Sequence, residues 1–270
     1  MNLRLAVAEP FRSQAERLAG RLATRGFVVT VVEADQDAEL RLTSAEGVAE
    51  MPARSAAIIG LAEPRDALVT GPEGAAGLSE LPTTARVALS GALRAEMLGV
   101  HRPEVRVVGV DGPRDAAGLL DRGDVDAWIA PVGEVRAAGL TDMVRETFEP
   151  TSWATAVGRG SLILQAASGD DALAELLAEL DEPAARGALE AERAVLDVLA
   201  VGPDAAVGVM ARPHGPLLRV RALLPARADR RLLRADYSGR LDDPATAGRR
   251  TGEQLIERGG LDLLAAAASA

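Results

Sequence analysis

The side chains that most often carry nucleophilic or metal chemistry are nearly absent from this sequence. The chain has no cysteine, and its two histidines, His101 and His214, lie far apart. Without a thiol it can form no disulfide, no thiolate nucleophile and no cysteine-based metal site, and two distant imidazoles offer little material for zinc. We therefore expect no metal, and the candidate groups are carboxylates, hydroxyls and guanidinium groups.

All 30 basic residues are arginine, which suits carboxylate recognition, although the lack of lysine beside so much alanine is more typical of the codon bias of a GC-rich genome. The net charge of −10 opposes attraction to phosphate backbones and anionic membranes, and 2% aromatic residues leave few rings for base stacking. We expect neither a nucleic-acid nor a membrane partner. No run of 18 apolar residues occurs, so we expect a cytoplasmic protein.

Hydrophobic periodicity predicts an α/β protein with three compact units in 270 residues. Two units show the strand–helix–strand rhythm of parallel sheets, and the third shows antiparallel strands followed by helices. Residues 1–66 with 161–181 are predicted to form domain 1, residues 70–157 domain 2, and residues 183–270 a small α+β domain 3. Predicted strands include residues 3–7, 27–32, 40–43, 56–61, 87–89, 105–110, 125–132 and 161–166.

Four segments in this order resemble the porphobilinogen deaminase (hydroxymethylbilane synthase) family. They are residues 63–69 (EPRDALV), 122–127 (RGDVDA), 156–160 (AVGRG) and 190–194 (EAERA), with a similar tail over residues 219–264. The resemblance implies two domains like those of periplasmic binding proteins, facing each other across a cleft. It also implies a third domain whose loop cysteine carries a dipyrromethane primer.

The loop that corresponds to the family's cysteine loop is residues 200–208 (AVGPDAAVG), and it places Pro203 at the cysteine position. Proline has no nucleophile, and its neighbour Asp204 offers only a hydrolysable ester. The alternative for this loop is an ordinary Pro-Asp turn. We accordingly expect a diverged family member with no cofactor and no covalent dipyrromethane.

The family has a Ser-Leu-Lys-Asp-Val-Pro turn whose aspartate steadies a cationic pyrrolic intermediate. Its counterpart here is residues 43–48 (TSAEGV), which keeps a hydroxyl at Thr43 and a carboxylate at Glu46. Glu46 is the candidate general acid or counter-charge, and the alternative is a solvated turn carboxylate. Roughly thirty residues that precede this turn in the family are missing, so domain 1 is expected to be abbreviated between Glu33 and Leu40, with a wider cleft.

The family's carboxylate-binding arginines are only partly present. Ser90 and Arg94 match a segment that binds anions at a helix start, and Arg114 is the basic residue near a second such segment. Arg159 stands where the family has a glutamine in the hinge. It is predicted either to bind a ligand carboxylate bidentately or to pair with Glu63 or Asp66 as scaffolding.

These features lead to a hypothesis of a repurposed biosynthetic enzyme that binds a small anionic, pyrrole- or amine-containing molecule in the interdomain cleft. The rival hypothesis, from another class, is a non-catalytic ligand-binding or regulatory protein of the same family. A third is ordinary tetrapyrrole synthesis on a free primer. The sequence names no protein partner.

Overall fold

The computed structural model describes residues 1–48, 50–51, 56–60, 63–167 and 170–268. The strands in this part of the chain are β1 Asn2–Val7, β2 Val28–Glu33, β3 Leu40–Ser44, β4 Ala56–Gly60, β5 Asp66–Thr70, β6 Arg86–Leu89, β7 Arg106–Gly109, β8 Ala127–Pro131, β9 Val144–Thr147, β10 Ser161–Ala166, β11 Gly208–His214, β12 Leu217–Ala226 and β13 Arg231–Arg240. The α-helices are α1 Arg12–Ala23, α2 Ala92–His101, α3 Pro113–Asp121, α4 Val132–Ala137, α5 Asp171–Leu180, α6 Pro183–Leu199, α7 Pro244–Glu257 and α8 Gly260–Ala268.

Two five-stranded sheets share one strand order. The first runs β2-β1-β3-β10-β4 and the second β7-β6-β8-β5-β9. In each sheet the first three strands are parallel, and the fourth is antiparallel to both its neighbours. The fourth strand always follows a segment that leaves the other sheet: β5 comes after β4, and β10 comes after β9. Two chain crossings therefore connect the sheets.

Apolar faces at helical spacing explain how each sheet is covered. Helix α1 buries Ala15, Leu18 and Leu22 against Leu3 and Leu5 of the first sheet. Helix α2 buries Met97 and Leu98 against the second sheet in the same way. Each α/β unit thus has its own aliphatic core, as the low aromatic content requires.

The third unit is a three-stranded antiparallel sheet, β11-β12-β13, covered by α6 and α7. These two helices cross closely because glycines stand at the contact. A Cβ atom at Gly248 would lie 2.1 Å from the Ala191 carbonyl oxygen, and one at Gly252 would lie 2.9 Å from Val198. The predicted fold class, two βαβ domains and a small α+β domain, is confirmed.

Some details differ from the sequence predictions. Strands β5 and β9 were not predicted, and β5 belongs to the second sheet. Residues 34–39 contain no helix and connect β2 to β3 directly, where the abbreviation was expected. Leu61, the predicted end of the fourth strand, lies outside the described residues.

The crossing from β9 to β10 packs tightly against the loop that follows β3. Gly158 has a φ of 78°, and a Cβ atom there would lie 2.3 Å from the Ala45 carbonyl oxygen. The same crossing is joined to domain 3, because the Val209 amide donates to the Thr155 carbonyl at 2.9 Å. Gly158 is therefore required both for its backbone conformation and for this close approach.

We predict that Gly158→Ala destabilises the protein by about 1 kcal/mol for the positive φ and by roughly a further 1–3 kcal/mol for overpacking against Ala45. Urea unfolding would measure both terms. Gly139→Ala is the matched control, because Gly139 has a φ of 73° with no atom within 4 Å of its added Cβ. Equal losses in the two variants would contradict the steric role of Gly158.

Candidate functional site

The two chain crossings bring charged residues to the space between the sheets. Asp66 is the first residue of β5, directly after one crossing, and Arg159 lies two residues before β10, at the end of the other. The loop after β3 contributes Glu46 from domain 1, and the first turn of α2 contributes Arg94 from domain 2. These four residues form one ion network, which we call the cleft network.

Arg159 is the centre of the cleft network. Its Nη1 donates to Asp66 Oδ1 at 2.6 Å, while its Nε donates to Glu46 Oε2 at 3.0 Å and its Nη2 to the other Glu46 oxygen. The Arg159 side chain is 8% exposed and the Glu46 side chain 37%. The guanidinium thus holds one deeply buried carboxylate and one that faces solvent.

Asp66 is the most buried member, with 1% of its side chain exposed. Besides Arg159 it accepts from Arg94 Nε at 3.0 Å and from Trp153 Nε1 at 3.0 Å. Burial alone would raise the pKa of Asp66, but Arg159 and Arg94 outweigh it and hold that pKa below its usual value. Asp66 is therefore an ionised, fully paired carboxylate at neutral pH.

Two adjoining cavities border the cleft network. The larger, about 420 Å³, is lined by residues of both α/β domains, among them Phe11, Ser44, Glu46, Ser90, Arg94, Glu134, Arg136 and Arg159. The smaller, about 210 Å³, has Pro203, Asp204 and Ala205 of the third domain on one side and Glu46, Asp66, Arg94 and Arg159 on the other. The loop that contains Pro203 and Asp204 therefore faces the cleft network.

The structure brings some of the predicted site residues together and separates others. Glu46, Arg94 and Arg159 meet in the cleft network, and the Ser90 carbonyl accepts from Arg94 Nη1 at 2.8 Å. Thr43 lies in β3 opposite Ile163. Arg114 is exposed and lines a separate cavity of about 500 Å³ beside Asp111.

Two carboxyl groups near the cleft were not singled out from the sequence as site residues. Glu134, in the first turn of α4, lines the 420 Å³ cavity, and burial raises its pKa while Arg94 and Arg159 lower it. Glu192 is buried in α6. The sequence could have indicated Glu192, because it lies at helical spacing on the apolar face formed by Ala188, Ala191 and Val195, where a charged residue is unusual.

Glu192 joins domain 3 to the hinge. Its two carboxyl oxygens accept from the Gly158 amide and the Ala211 amide, each at 2.8 Å. Burial raises the pKa of Glu192 to about 7, against the opposing effect of the two backbone hydrogen bonds and of Arg212. The carboxyl also lines a third cavity, of about 340 Å³, between the first sheet and domain 3.

The fold and the cleft define a two-lobed α/β protein with charged residues of both lobes facing the space between them. Residues 31–175 match the family described as porphobilinogen deaminase, dipyromethane cofactor binding domain. The chain belongs to the porphobilinogen deaminase family, as its motifs predicted.

Individual relatives agree with this assignment. The chain is 38% identical over 205 residues to the porphobilinogen deaminase of Roseiflexus castenholzii, covering 76% of this chain and 67% of the relative. It is 34% identical over 252 residues to that of Acidothermus cellulolyticus, covering 90% and 72%. Among solved structures, the periplasmic molybdate-binding protein of Azotobacter vinelandii is similar with a TM-score of 0.42 and 13% identity over 66% of this chain and 91% of that one.

The expectation that the chain has no dipyrromethane cofactor is wrong. The matched region, more than half of the chain, is the domain that binds this cofactor in the family. The expectation relied on the single anchoring position at Pro203, whereas the cofactor-binding domain is recognised over the whole of residues 31–175. Because the chain has no cysteine, a dipyrromethane bound here is held without a cysteine thioether.

The described residues contain no group of three or more side chains placed to hold a metal ion. Within the same residues, no helix combines the length and the apolar character that crossing a membrane would require.

We predict that Glu192 makes stability fall as pH rises. Its folded-state pKa of about 7 lies above the ordinary glutamate value of 4.5, so its contribution to stability is fully present below pH 4.5 and is lost as the pH rises through 7. Relative to Glu192→Gln, the wild type should lose roughly 3 kcal/mol between pH 4.5 and pH 8.

Urea unfolding of both proteins at several pH values would measure this difference. The glutamine leaves one backbone N–H without an acceptor, which costs about 1–3 kcal/mol at every pH. Parallel pH profiles for the two proteins would contradict the assignment of the titration to Glu192.

Proposed function

We propose that this protein is a diverged enzyme of the porphobilinogen deaminase family that binds a small anionic, pyrrole- or amine-containing molecule noncovalently in the interdomain cleft. Arg159 binds a carboxylate of the ligand, and Glu46 is the acid, base or counter-charge beside it. The observation that carries this proposal is the paired contact of Glu46 with the cleft-facing edge of the Arg159 guanidinium.

Glu46 occupies the place on Arg159 that a ligand carboxylate would take. The Arg159–Asp66 contact is buried, so Asp66 stays bound, whereas the Glu46 side chain is 37% exposed and can be exchanged. A ligand carboxylate replaces one bidentate ion pair by another, which costs little net charge–charge energy. The displaced Glu46 then lies next to the ligand, within reach of its ammonium or pyrrole N–H groups.

The residues of the two cavities fit a dipyrromethane held by noncovalent contacts. Arg159 and the exposed Arg136 supply cations for its carboxylates, and Glu46 supplies an acceptor for pyrrole N–H groups. In the family this group serves as the primer to which pyrroles are added. The side chains here bind and orient it, and Pro203 and Asp204, at the predicted position of the family's cysteine, line the smaller cavity.

A non-catalytic binding protein is the second candidate, and the internal neutralisation of the cleft favours it. Both Arg94 and Arg159 are ion-paired with carboxylates of the chain itself. A ligand must therefore displace Glu46 from Arg159, as in a binding protein that binds only those anions that can displace an internal carboxylate. The two candidates differ in whether the bound molecule is consumed.

Porphobilinogen is the probe, with binding measured by calorimetry and its consumption by mass spectrometry. We predict that Arg159→Gln weakens binding by roughly 2–5 kcal/mol, because it removes one partner of a desolvated charge pair. Glu46→Gln should bind more tightly than the wild type, since the competing carboxylate is gone, but should not consume porphobilinogen. Glu50→Gln, an exposed residue of the same segment, should change neither.

Each outcome separates the candidates. Consumption by the wild type that is lost in Glu46→Gln supports the enzyme. Tighter binding in Glu46→Gln without consumption by any variant supports the binding protein. Wild-type affinity in Arg159→Gln would refute the shared premise that Arg159 holds the ligand.

A further inference from the structure

Glu134 differs from the other carboxylates that line the 420 Å³ cavity. Glu46 is paired with Arg159, and Glu63 is paired with Arg65 at 2.8 Å. The Glu134 side chain makes no hydrogen bond or ion pair with any residue that the structure describes, although it is half-buried. An ionised carboxyl without a partner is costly to bury, so this position favours the neutral form.

Charged groups near Glu134 come from several neighbouring elements. Arg94 of α2 and Arg159 of the crossing lie on the side of the cleft network, but both already bind Asp66. The turn at residues 9–11 and helix α3 also pack on α4, and they bring Glu9, Arg114 and Asp115 to the neighbouring cavity. Arg136 follows on α4 itself, and Glu46 and Asp66 add negative charge that favours a proton on Glu134.

We propose that Glu134 is a proton-carrying carboxyl that donates a hydrogen bond to a carboxylate of the cleft ligand, so that ligand binding takes up a proton at Glu134. The proposal rests on the proposed function for the identity of the ligand class.

The geometry gives this pair of carboxyls opposite roles. Glu46 reaches the cavity from domain 1 as an ionised partner of Arg159, and Glu134 reaches it from domain 2 without a counter-ion. Two carboxyls whose surroundings favour different protonation states supply an acceptor and a donor at the same pH. A ligand that fills the cavity also expels water from Glu134, which strengthens its hold on the proton.

The free protein provides the first test, independent of any ligand. In a sample with ¹³C-labelled glutamate carboxyls, the Glu134 signal is assigned by its loss in Glu134→Gln, an isosteric change. We expect it to titrate at higher pH than the signal of Glu63, whose bond to Arg65 lowers its pKa. Titration of Glu134 at or below Glu63 would overturn the proposal.

The second test measures protons directly during binding. Calorimetry of porphobilinogen binding in buffers of different ionisation enthalpy should show uptake of up to one proton per ligand in the wild type. Affinity should fall by up to about tenfold per pH unit once Glu134 ionises. Glu134→Gln should lose both effects, and Glu50→Gln should keep them.

The outcomes distinguish this proposal from the proposed function. Proton release on binding, or uptake that persists in Glu134→Gln, overturns the role of Glu134 while leaving the binding function intact. If porphobilinogen binds to none of the variants, the proposed function fails, and the carboxyl titration of the free protein alone decides whether Glu134 carries a proton.

Discussion

The carboxylate of Asp66 is the point on which the interdomain region depends. It is almost fully buried and accepts hydrogen bonds from Arg94 of helix α2 and from Arg159 and Trp153 of the β9–β10 crossing. A buried guanidinium needs an anionic partner, and Asp66 is that partner for both Arg94 and Arg159, with Glu46 as a second partner of Arg159. Through Arg159, the same carboxylate also fixes where Glu46 of the opposite domain lies. One desolvated charge thus determines the position of every other charged group in the cleft network.

The two sheets of equal strand order explain why this charge lies where it does. Each sheet receives its fourth strand from a segment that crosses from the other sheet, and the crossings end at Asp66 and just beyond Arg159. Topology alone therefore places an acid and a base side by side between the sheets. The third domain contacts the same place, through the backbone pairing of Ala156 with Gly208 and the buried carboxyl of Glu192.

Hydrophobic periodicity predicted the fold class and most strands. It could do so because the aliphatic residues recur at strand or helix spacing and because glycine and proline mark where helices end. Strands β5 and β9 were not predicted. All five residues of β5 are buried, so it shows no alternation, and its antiparallel neighbours β8 and β9 are distant in sequence. The sequence left two roles open for Arg159, ligand binding or an ion pair with Glu63 or Asp66. In the structure Arg159 pairs with Asp66 and Glu46, while Glu63 pairs with Arg65. Glu134 had no sequence signal, since its meaning depends on which nearby arginines are already occupied, and only a three-dimensional structure can show that.

The double crossing also has a mechanical consequence. Two sheets joined by one strand of chain could swivel freely, but two neighbouring connections restrict them to bending about the line that passes through both. The third domain is fastened to one of these connections, at Thr155 and Gly158, so that connection behaves as a fixed pivot. If the cleft opens by bending about this axis, the displacement is greatest at the edge strands β2 and β7 and least at Asp66.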